Sequence, residues 1–92
     1  METSQKAVIT VIGKDMVGIL AKVSDICAQS GVNVLEVTQS ILQDLFVMVM
    51  LVDMGHAVDV AALSGRMDAL GQELGLKIHV MHEDIFNSMH RI

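Results

Sequence analysis

One run of eight apolar residues limits the possible folds of this 92-residue chain more than any other feature. It spans residues 45–52 and reads Leu-Phe-Val-Met-Val-Met-Leu-Val, without a single polar side chain. A membrane-spanning helix needs about 20 such residues, and a surface helix would carry a polar stripe. The β-branched content favours a strand, and a strand that is apolar on both sides must be covered on both faces. The run therefore predicts a buried strand at the centre of a sheet.

Three further segments have the composition of strands. Residues 7–12 are β-branched nearly throughout and apolar at both parities, which predicts a second central strand. Residues 32–43 mix polar and apolar side chains, as an edge strand does. Residues 76–83 form the last strand. Gln43-Asp44 is a short turn that predicts an antiparallel hairpin, and residues 53–56 are expected to form a loop.

Two segments have helical periodicity. Between Ile19 and Ala28, apolar residues recur on one stripe, with Asp15 expected as the N-cap and Gly31 just after the C-cap. The second helix shows apolar residues at spacings of three and four, and ends at Gly75. These residues are Val60, Leu63, Met67, Leu70 and Leu74. Ser-Gly-Val at 30–32 and Leu-Gly-Leu at 74–76 form a quasi-repeat at the two helix exits.

The order of elements is βαββαβ, which predicts an α+β, ferredoxin-like fold. Two split βαβ units with right-handed crossovers give a four-stranded antiparallel sheet with two helices on one face. In that topology the first and third strands are central, as their apolar composition requires. We expect a flexible N-terminus at 1–5, one domain at 6–83, and a C-terminal tail at 84–92 in which Asp84 could cap a short helix.

The face of the sheet away from the helices is expected to be open in a monomer. The two central strands would place several aliphatic side chains there, which is unusual for a monomeric protein. Covering about 500 Å² of this apolar face would contribute about 12 kcal/mol to the free energy of association, before the loss of association entropy is subtracted. This predicts a homo-oligomer, in the first place a dimer. Two modes of association remain open: two copies could stack their sheets face to face, or pair edge to edge through the second strand.

Composition excludes several classes of partner. A net charge of −5 disfavours nucleic acid, which needs a basic footprint, and the 2% aromatic content lacks the stacking residues of an RNA-recognition domain. No apolar run is long enough for a membrane helix, and Met1–Gln5 is too short and polar for a signal peptide, so a cytoplasmic protein is expected. The single Cys27 lies on the apolar helix stripe and is expected to be a buried thiol.

Catalytic and metal-binding patterns are weak. The first loop has no Cys-x-x-Cys pair for a soft metal, and Lys14 is its only cation, which excludes the arginine cradle of an acylphosphatase. His79 and His82 on one strand would point to opposite faces, although His82, Glu83 and His90 could meet if the tail folds back. No nucleophile has an evident base. We therefore expect no metal, no cofactor and no enzymatic activity.

The turn between the first strand and the first helix carries two glycines and a carboxylate. Val-Ile-Gly-Lys-Asp-Met-Val-Gly-Ile-Leu at 11–20 is the kind of strand-to-helix turn that offers backbone N–H groups to a ligand. Together with Gly-Val-Asn-Val at 31–34, it resembles the ACT domain, the amino-acid-sensing module of metabolic enzymes and regulators. The resemblance covers nearly the whole chain. The ending from residue 82 is similar to small stand-alone ACT proteins of bacteria and archaea.

The resemblance implies a ligand site between the first loop and the start of the second strand, often across a domain interface. The implied ligand-binding residues are Gly13, Asp15, Gly18, Ile19, Asn33 and Val34. Asp15 and Asn33 are expected to face each other across one turn and, with helix N–H groups, to suit a free amino acid. Two departures are visible: many family members have Arg-Pro where this chain has Met16-Val17, and Gly13 has no side chain to contribute.

Ordinary structural roles remain open for the same residues. Asp15 could be a plain helix cap, and Asn33 a common residue at a strand entry. The function hypothesis is a non-catalytic regulatory domain that binds a small polar molecule such as an amino acid and acts as a homo-oligomer. The alternative is a ligand-free protein–protein interaction module that docks a metabolic enzyme or regulator.

Overall fold

The computed structural model describes residues 5–14, 18–55 and 60–84, and within them it contains four strands and two helices. The sheet order is β2-β3-β1-β4 and every neighbouring pair is antiparallel, which confirms the predicted ferredoxin-like fold with the first and third strands at its centre. The elements are β1 (Gln5–Lys14), α1 (Ile19–Gln29), β2 (Asn33–Leu42), β3 (Leu45–Gly55), α2 (Val60–Leu74) and β4 (Lys77–His82).

The two central strands are longer than their apolar runs. β3 continues to Gly55 and β1 begins at Gln5, because these ends pair with each other beyond the apolar segments. The predicted loop at 53–55 is therefore wrong. The Asp53 Oδ1 accepts the Gly55 N–H at 2.9 Å and closes the end of the strand. Residue 56, the last of that predicted loop, and the tail from residue 85 onward lie outside the described residues.

The core lies between the sheet and the helices. Alternate residues of β1 and β3 face the helices in register, as Ile9 opposite Met50 and Val11 opposite Met48 show. The fully buried methionines are Met48, Met50, Met54 and Met67, which confirms a core of aliphatic and methionine side chains. In the described part of the chain, no polar or charged side chain is buried.

Both helices return to the sheet through the same kind of turn. At the end of α1 the Val32 N–H donates to the Cys27 carbonyl at 2.8 Å, and at the end of α2 the Leu76 N–H donates to the Gly71 carbonyl at 2.8 Å. The glycine just before each donor has a positive φ, 75° and 73° respectively. These are the six-to-one bonds of a Schellman ending, in which glycine avoids the strain of the left-handed conformation. The quasi-repeat in the sequence thus encodes two equivalent helix ends.

Gly71 lies on the buried face of α2 together with Leu63 and Met67. A Cβ atom at Gly71 would stand 2.7 Å from the Leu76 carbonyl oxygen, so the helix approaches the start of β4 backbone to backbone. Hydrophobic periodicity missed this residue because glycine adds no apolar side chain to a helical stripe. The close approach brings α2 onto the sheet.

Among the described residues, most of the exposed large apolar side chains lie on β2, and two more, Ile12 and Leu45, lie at one end of the central strands. On the open face Val8 is only 4% exposed, and Val49 and Leu51 are half-buried. Four large apolar residues of β2 are exposed, namely Leu35, Val37, Ile41 and, at 63%, Leu42. The physical reason is that β1 and β3 each have a strand on both sides, whereas β2 has only one neighbour. The expected patch is therefore smaller on the central strands and larger at this edge.

None of the helices in the described ranges is both long and apolar enough to span a bilayer. The cytoplasmic location and the boundaries of the N-terminal and C-terminal segments stay predictions.

Candidate ligand site

Among the residues that the structure describes, no side chain caps the start of α1. α1 begins at Ile19, and its N-cap is Gly18, whose φ is 87°. The Lys22 N–H makes a helical bond to the Gly18 carbonyl at 3.0 Å. The first turn contains no acidic residue, and Gly18 has no side chain to accept the first N–H groups. These N–H groups, with the positive end of the helix dipole, form a place where an anionic group is favoured.

The prediction that Asp15 is the N-cap residue is wrong in position, because Gly18 occupies that place. Asp15 itself, with residues 16 and 17, lies outside the described residues. Its expected role as a ligand contact stays a prediction. No atom of the described residues stands within 4 Å of a Cβ placed on Gly18, so the positive φ, and not crowding by those residues, requires glycine here.

Gly13 has a packing role. It faces the helices in register with Phe46, and the Leu76 side chain occupies the space that a Cβ atom on Gly13 would fill. Leu76 is thereby buried at the start of the last strand. Any contribution of Gly13 to a ligand comes from its backbone, as its lack of a side chain had indicated. The sequence does not predict the contact between Gly13 and Leu76, because the two residues are far apart along the chain and no motif links them.

Asn33 lies at the other end of the sheet from this turn. It is exposed at the start of β2, in register with Asp53 and through it with Lys6, whereas Gly13 is in register with Phe46. The seven residue steps along β3 from Phe46 to Asp53 correspond to about 23 Å at about 3.3 Å per residue. The expectation that Asn33 and the turn face each other within one chain is therefore wrong. β1 and β2 run parallel to each other, so the end of one and the start of the other are at opposite ends.

The two remaining predicted site residues are apolar and point into the protein. Ile19 is buried in the core and Val34 packs partly against it, so each would offer a ligand only its backbone. The pairing of β2 with β3 is irregular between Val34 and Glu36, and Leu35 is left exposed at this bulge. A bulge redirects neighbouring side chains and backbone groups at the strand entry.

The histidines of β4 lie on opposite faces, as predicted. His79 is opposite Thr10 on the open face, and His82 is opposite Ala7 on the helix side. The His82 Nδ1 accepts the Asp84 N–H at 3.1 Å. Among the residues that the structure describes, no three His, Cys, Asp or Glu side chains are grouped to hold a metal ion. Burial raises the pKa of the Cys27 thiol, which makes it a poor nucleophile.

Two depressions occur elsewhere on the described surface. One of about 460 Å³ lies between α2 and β4 and is lined by exposed side chains that include Asp68, Gln72 and Lys77. The other, of about 290 Å³, lies between the two helices beside Ile26 and Arg66. Neither includes any of the predicted site residues, so both are independent of the start of α1.

Comparison with known proteins identifies similar chains. The family model for the ACT domain matches residues 5–81. A UPF0237 protein of Methanocaldococcus jannaschii is 46% identical over 88 residues, which cover 95% of this chain and 98% of that protein. The solved structure of an ACT domain protein from Streptococcus pneumoniae has 37% identity and a TM-score of 0.82, covering 91% of this chain and 96% of its own.

A second similar solved structure is longer than this chain. It is that of a candidate glycine cleavage system transcriptional repressor, with 25% identity and a TM-score of 0.76. The match covers 86% of this chain and 46% of that protein, so the likeness concerns about half of the repressor.

Proposed function

Because the chain belongs to the ACT domain family, we propose that it is a non-catalytic regulatory domain that binds a free amino acid and acts as a homo-oligomer. The observation that carries the proposal is the start of α1. Within the described ranges, no side chain caps the first N–H groups of the helix that follow Gly18, and none fills the space beside this glycine. Such a helix start suits the carboxylate of an amino acid.

The other half of the proposed site is polar. Asp15 would accept hydrogen bonds from the ligand ammonium group, and Asn33 would bind through its amide. Since Asn33 lies about 23 Å from the turn along the sheet of its own chain, the two residues could share one small ligand only across two copies. A ligand held in this way would favour the associated state and signal through a shift of that equilibrium.

The regulatory and non-catalytic parts of the proposal have separate support. One of the similar proteins is a candidate transcriptional repressor, which is a regulator by its own description. In this chain the single thiol is buried with a raised pKa, and no buried polar side chain occurs in the described ranges. The described residues therefore favour binding over covalent chemistry.

Calorimetry against the common amino acids tests the proposal. We expect saturable heat from at least one of them at millimolar concentration or below. Asp15→Ala and Asn33→Ala should each weaken that binding about 10- to 100-fold, as expected for a lost hydrogen bond to a charged group. Asp44→Ala is the matched control, because it removes a carboxylate from the exposed β2–β3 turn.

Two results would contradict amino-acid binding. One is the absence of heat with every amino acid while the protein remains folded. The other is equal binding by all three variants. Either result would leave the alternative function, a ligand-free module that docks another protein, for which the exposed apolar side chains of β2 are the specific support.

A further inference from the structure

The open face of the sheet is sheltered at one end and exposed at the other. Val8 and Ile12 both lie on this face of β1, and each has β3 on one side and β4 on the other. Their exposures nevertheless differ, since Val8 is 4% exposed and Ile12 is 39% exposed. Val8 also stands apart from the buried cluster that fills the space between the sheet and the helices. Neighbouring strands alone therefore do not account for the burial of Val8.

The sheltered end is the end at which the chain leaves the sheet for the last time. β4 ends at His82, which is in register with Ala7, the residue before Val8. Glu83 and Asp84 are already helical, and the His82 Nδ1 accepts the Asp84 N–H at 3.1 Å. His82 thus occupies the capping position that the sequence had suggested for Asp84. The two carboxylates favour this helix start, because they lie at the positive end of its dipole.

The sequence after Asp84 continues in a helical pattern. Residues 85–92 lie outside the described part of the chain, and they read Ile-Phe-Asn-Ser-Met-His-Arg-Ile. The apolar residues at 85, 89 and 92 are spaced by four and three, with Phe86 beside them, which is typical of one side of a helix. Asn87 and Arg91 fall on the opposite side. A helix this short is stable only when its apolar side is covered.

A row of apolar side chains on the open face matches such a helix in length. Met81, Val8 and Leu51 stand next to one another on β4, β1 and β3, and each is buried or half-buried. These three residues are here called the sheltered row, which ends at Glu36 on β2. Four strands about 4.8 Å apart give a row about 14 Å long. Ten helical residues, 83–92, at about 1.5 Å each give about 15 Å.

Other possible covers for the sheltered row fit it less well. Residues 1–4 precede β1 at the same end, but Met1 is their only apolar side chain. Residues 56–59 connect β3 to α2, which packs on the opposite face. A second copy stacked on this row would bring the exposed Glu36 of both copies out of water, which is costly unless each carboxylate finds a partner.

We infer that residues 83–92 form a C-terminal helix that packs its apolar side across the sheltered row of the same chain. The occupant of this end of the open face is thus the chain's own last segment, and the sheet has helices on both faces. The helix keeps this end of the face from stacking on a second copy, so association between copies must use another surface. The inference goes beyond the proposed function and does not depend on amino-acid binding.

The first test is methyl NMR of the unaltered full chain. We expect nuclear Overhauser contacts from the Val8 methyl groups to Met89 and to at least one more apolar residue of 85–92. A mixture of isotope-labelled and unlabelled chains separates contacts within one chain from contacts between copies. Contacts of Val8 with Leu51 and Met81 alone would overturn the inference, and so would contacts with residues 85–92 that occur only between copies.

The second test compares the accessibility of two thiols on the same strand and the same face. Val8→Cys should react with a thiol reagent at least tenfold more slowly than Ile12→Cys. Adding Met89→Lys should accelerate the reaction of Val8→Cys at least tenfold, because a charge on the apolar side disfavours docking of the helix. Asn87→Lys, the matched control on the polar side, should change the rate less than threefold. Cys27 is buried and stays silent.

Two results of the labelling test would overturn the inference. If Met89→Lys leaves the rate at Val8→Cys unchanged while circular dichroism shows a folded protein, Leu51 and Met81 alone shelter residue 8. If the protection of Val8→Cys is lost on hundredfold dilution, the cover belongs to a second copy. Neither measurement contains an amino acid, so silence in calorimetry would contradict the proposed function and leave these outcomes unaffected.

Discussion

Replacing Gly71 or Gly65 with alanine makes the same chemical change at two places in α2 and should give opposite results. A Cβ atom at Gly71 would lie 2.7 Å from the Leu76 carbonyl oxygen, whereas no atom in the described part of the chain lies within 4 Å of one at Gly65. The Leu76 N–H is in turn bound to the Gly71 carbonyl at 2.8 Å. Relief of the clash at residue 71 therefore requires movement of backbone that is held by the helix ending.

The magnitudes follow from these distances. In an exposed helix interior, alanine is about 1 kcal/mol more favourable than glycine, so Gly65→Ala should raise the melting temperature by about 4–8 °C. Gly71→Ala gains the same propensity, but ordinary van der Waals contact begins at 3.4 Å, so the backbone must move by several tenths of an ångström. Overpacking of this kind costs about 1–3 kcal/mol. Gly71→Ala should therefore be about 1–3 kcal/mol less stable than Gly65→Ala.

Urea denaturation followed by circular dichroism, at one fixed protein concentration, measures both differences. The midpoints should move in the stated directions with an unchanged slope, which shows that the folded and unfolded states expose the same surface as before. If Gly71→Ala is as stable as Gly65→Ala, then α2 does not approach β4 backbone to backbone. The account of how this helix packs on the sheet would then be wrong.

Two further predictions concern α1. Arg66 donates to the Ser30 Oγ at 2.6 Å and to the Gln29 Oε1 at 2.8 Å. Arg66→Ala should therefore lower the free energy of unfolding by about 1 kcal/mol, measured by thermal denaturation. Arg66→Lys should restore only part of that stability, because an ammonium group lacks the paired N–H donors of a guanidinium group. Burial raises the pKa of the Cys27 thiol above its ordinary value of 9.0, so the folded state disfavours the thiolate. The free energy of unfolding should therefore decline as the pH rises from 9.0 towards the raised pKa of the folded state. Cys27→Ala should remove this decline. Fast labelling of Cys27 by a thiol reagent without denaturant would contradict its burial.

Much of the fold could be predicted from local chemistry. Apolar runs at both parities identify central strands because only the middle of a sheet covers both faces. Glycines after the two helical stripes identify the helix ends because they tolerate positive φ. Both signals lie within a few residues of the feature that they report, and both are confirmed. The length of β3 was underestimated, since its polar end at Asp53 is held by pairing with β1 and not by composition.

The candidate site was less predictable. The resemblance selects Asp15 and Asn33, but a motif says nothing about which end of the sheet each residue occupies. The strand order contains that information: β1 and β2 run in the same direction, so Asn33 is about 23 Å from the turn. The N-cap also departs from the pattern, because it is Gly18, three positions after the expected carboxylate in the sequence.

By itself, the sequence determined which segments become strands and helices, their order, and the aliphatic and methionine character of the core. These properties depend on side chains that are near one another along the chain. Only the tertiary structure decided that Leu76 fills the space over Gly13, that Gly71 admits the start of β4, and that most of the exposed large apolar side chains of the described residues lie on β2. Those features arise between residues far apart in sequence, where the packing of whole elements sets the distances.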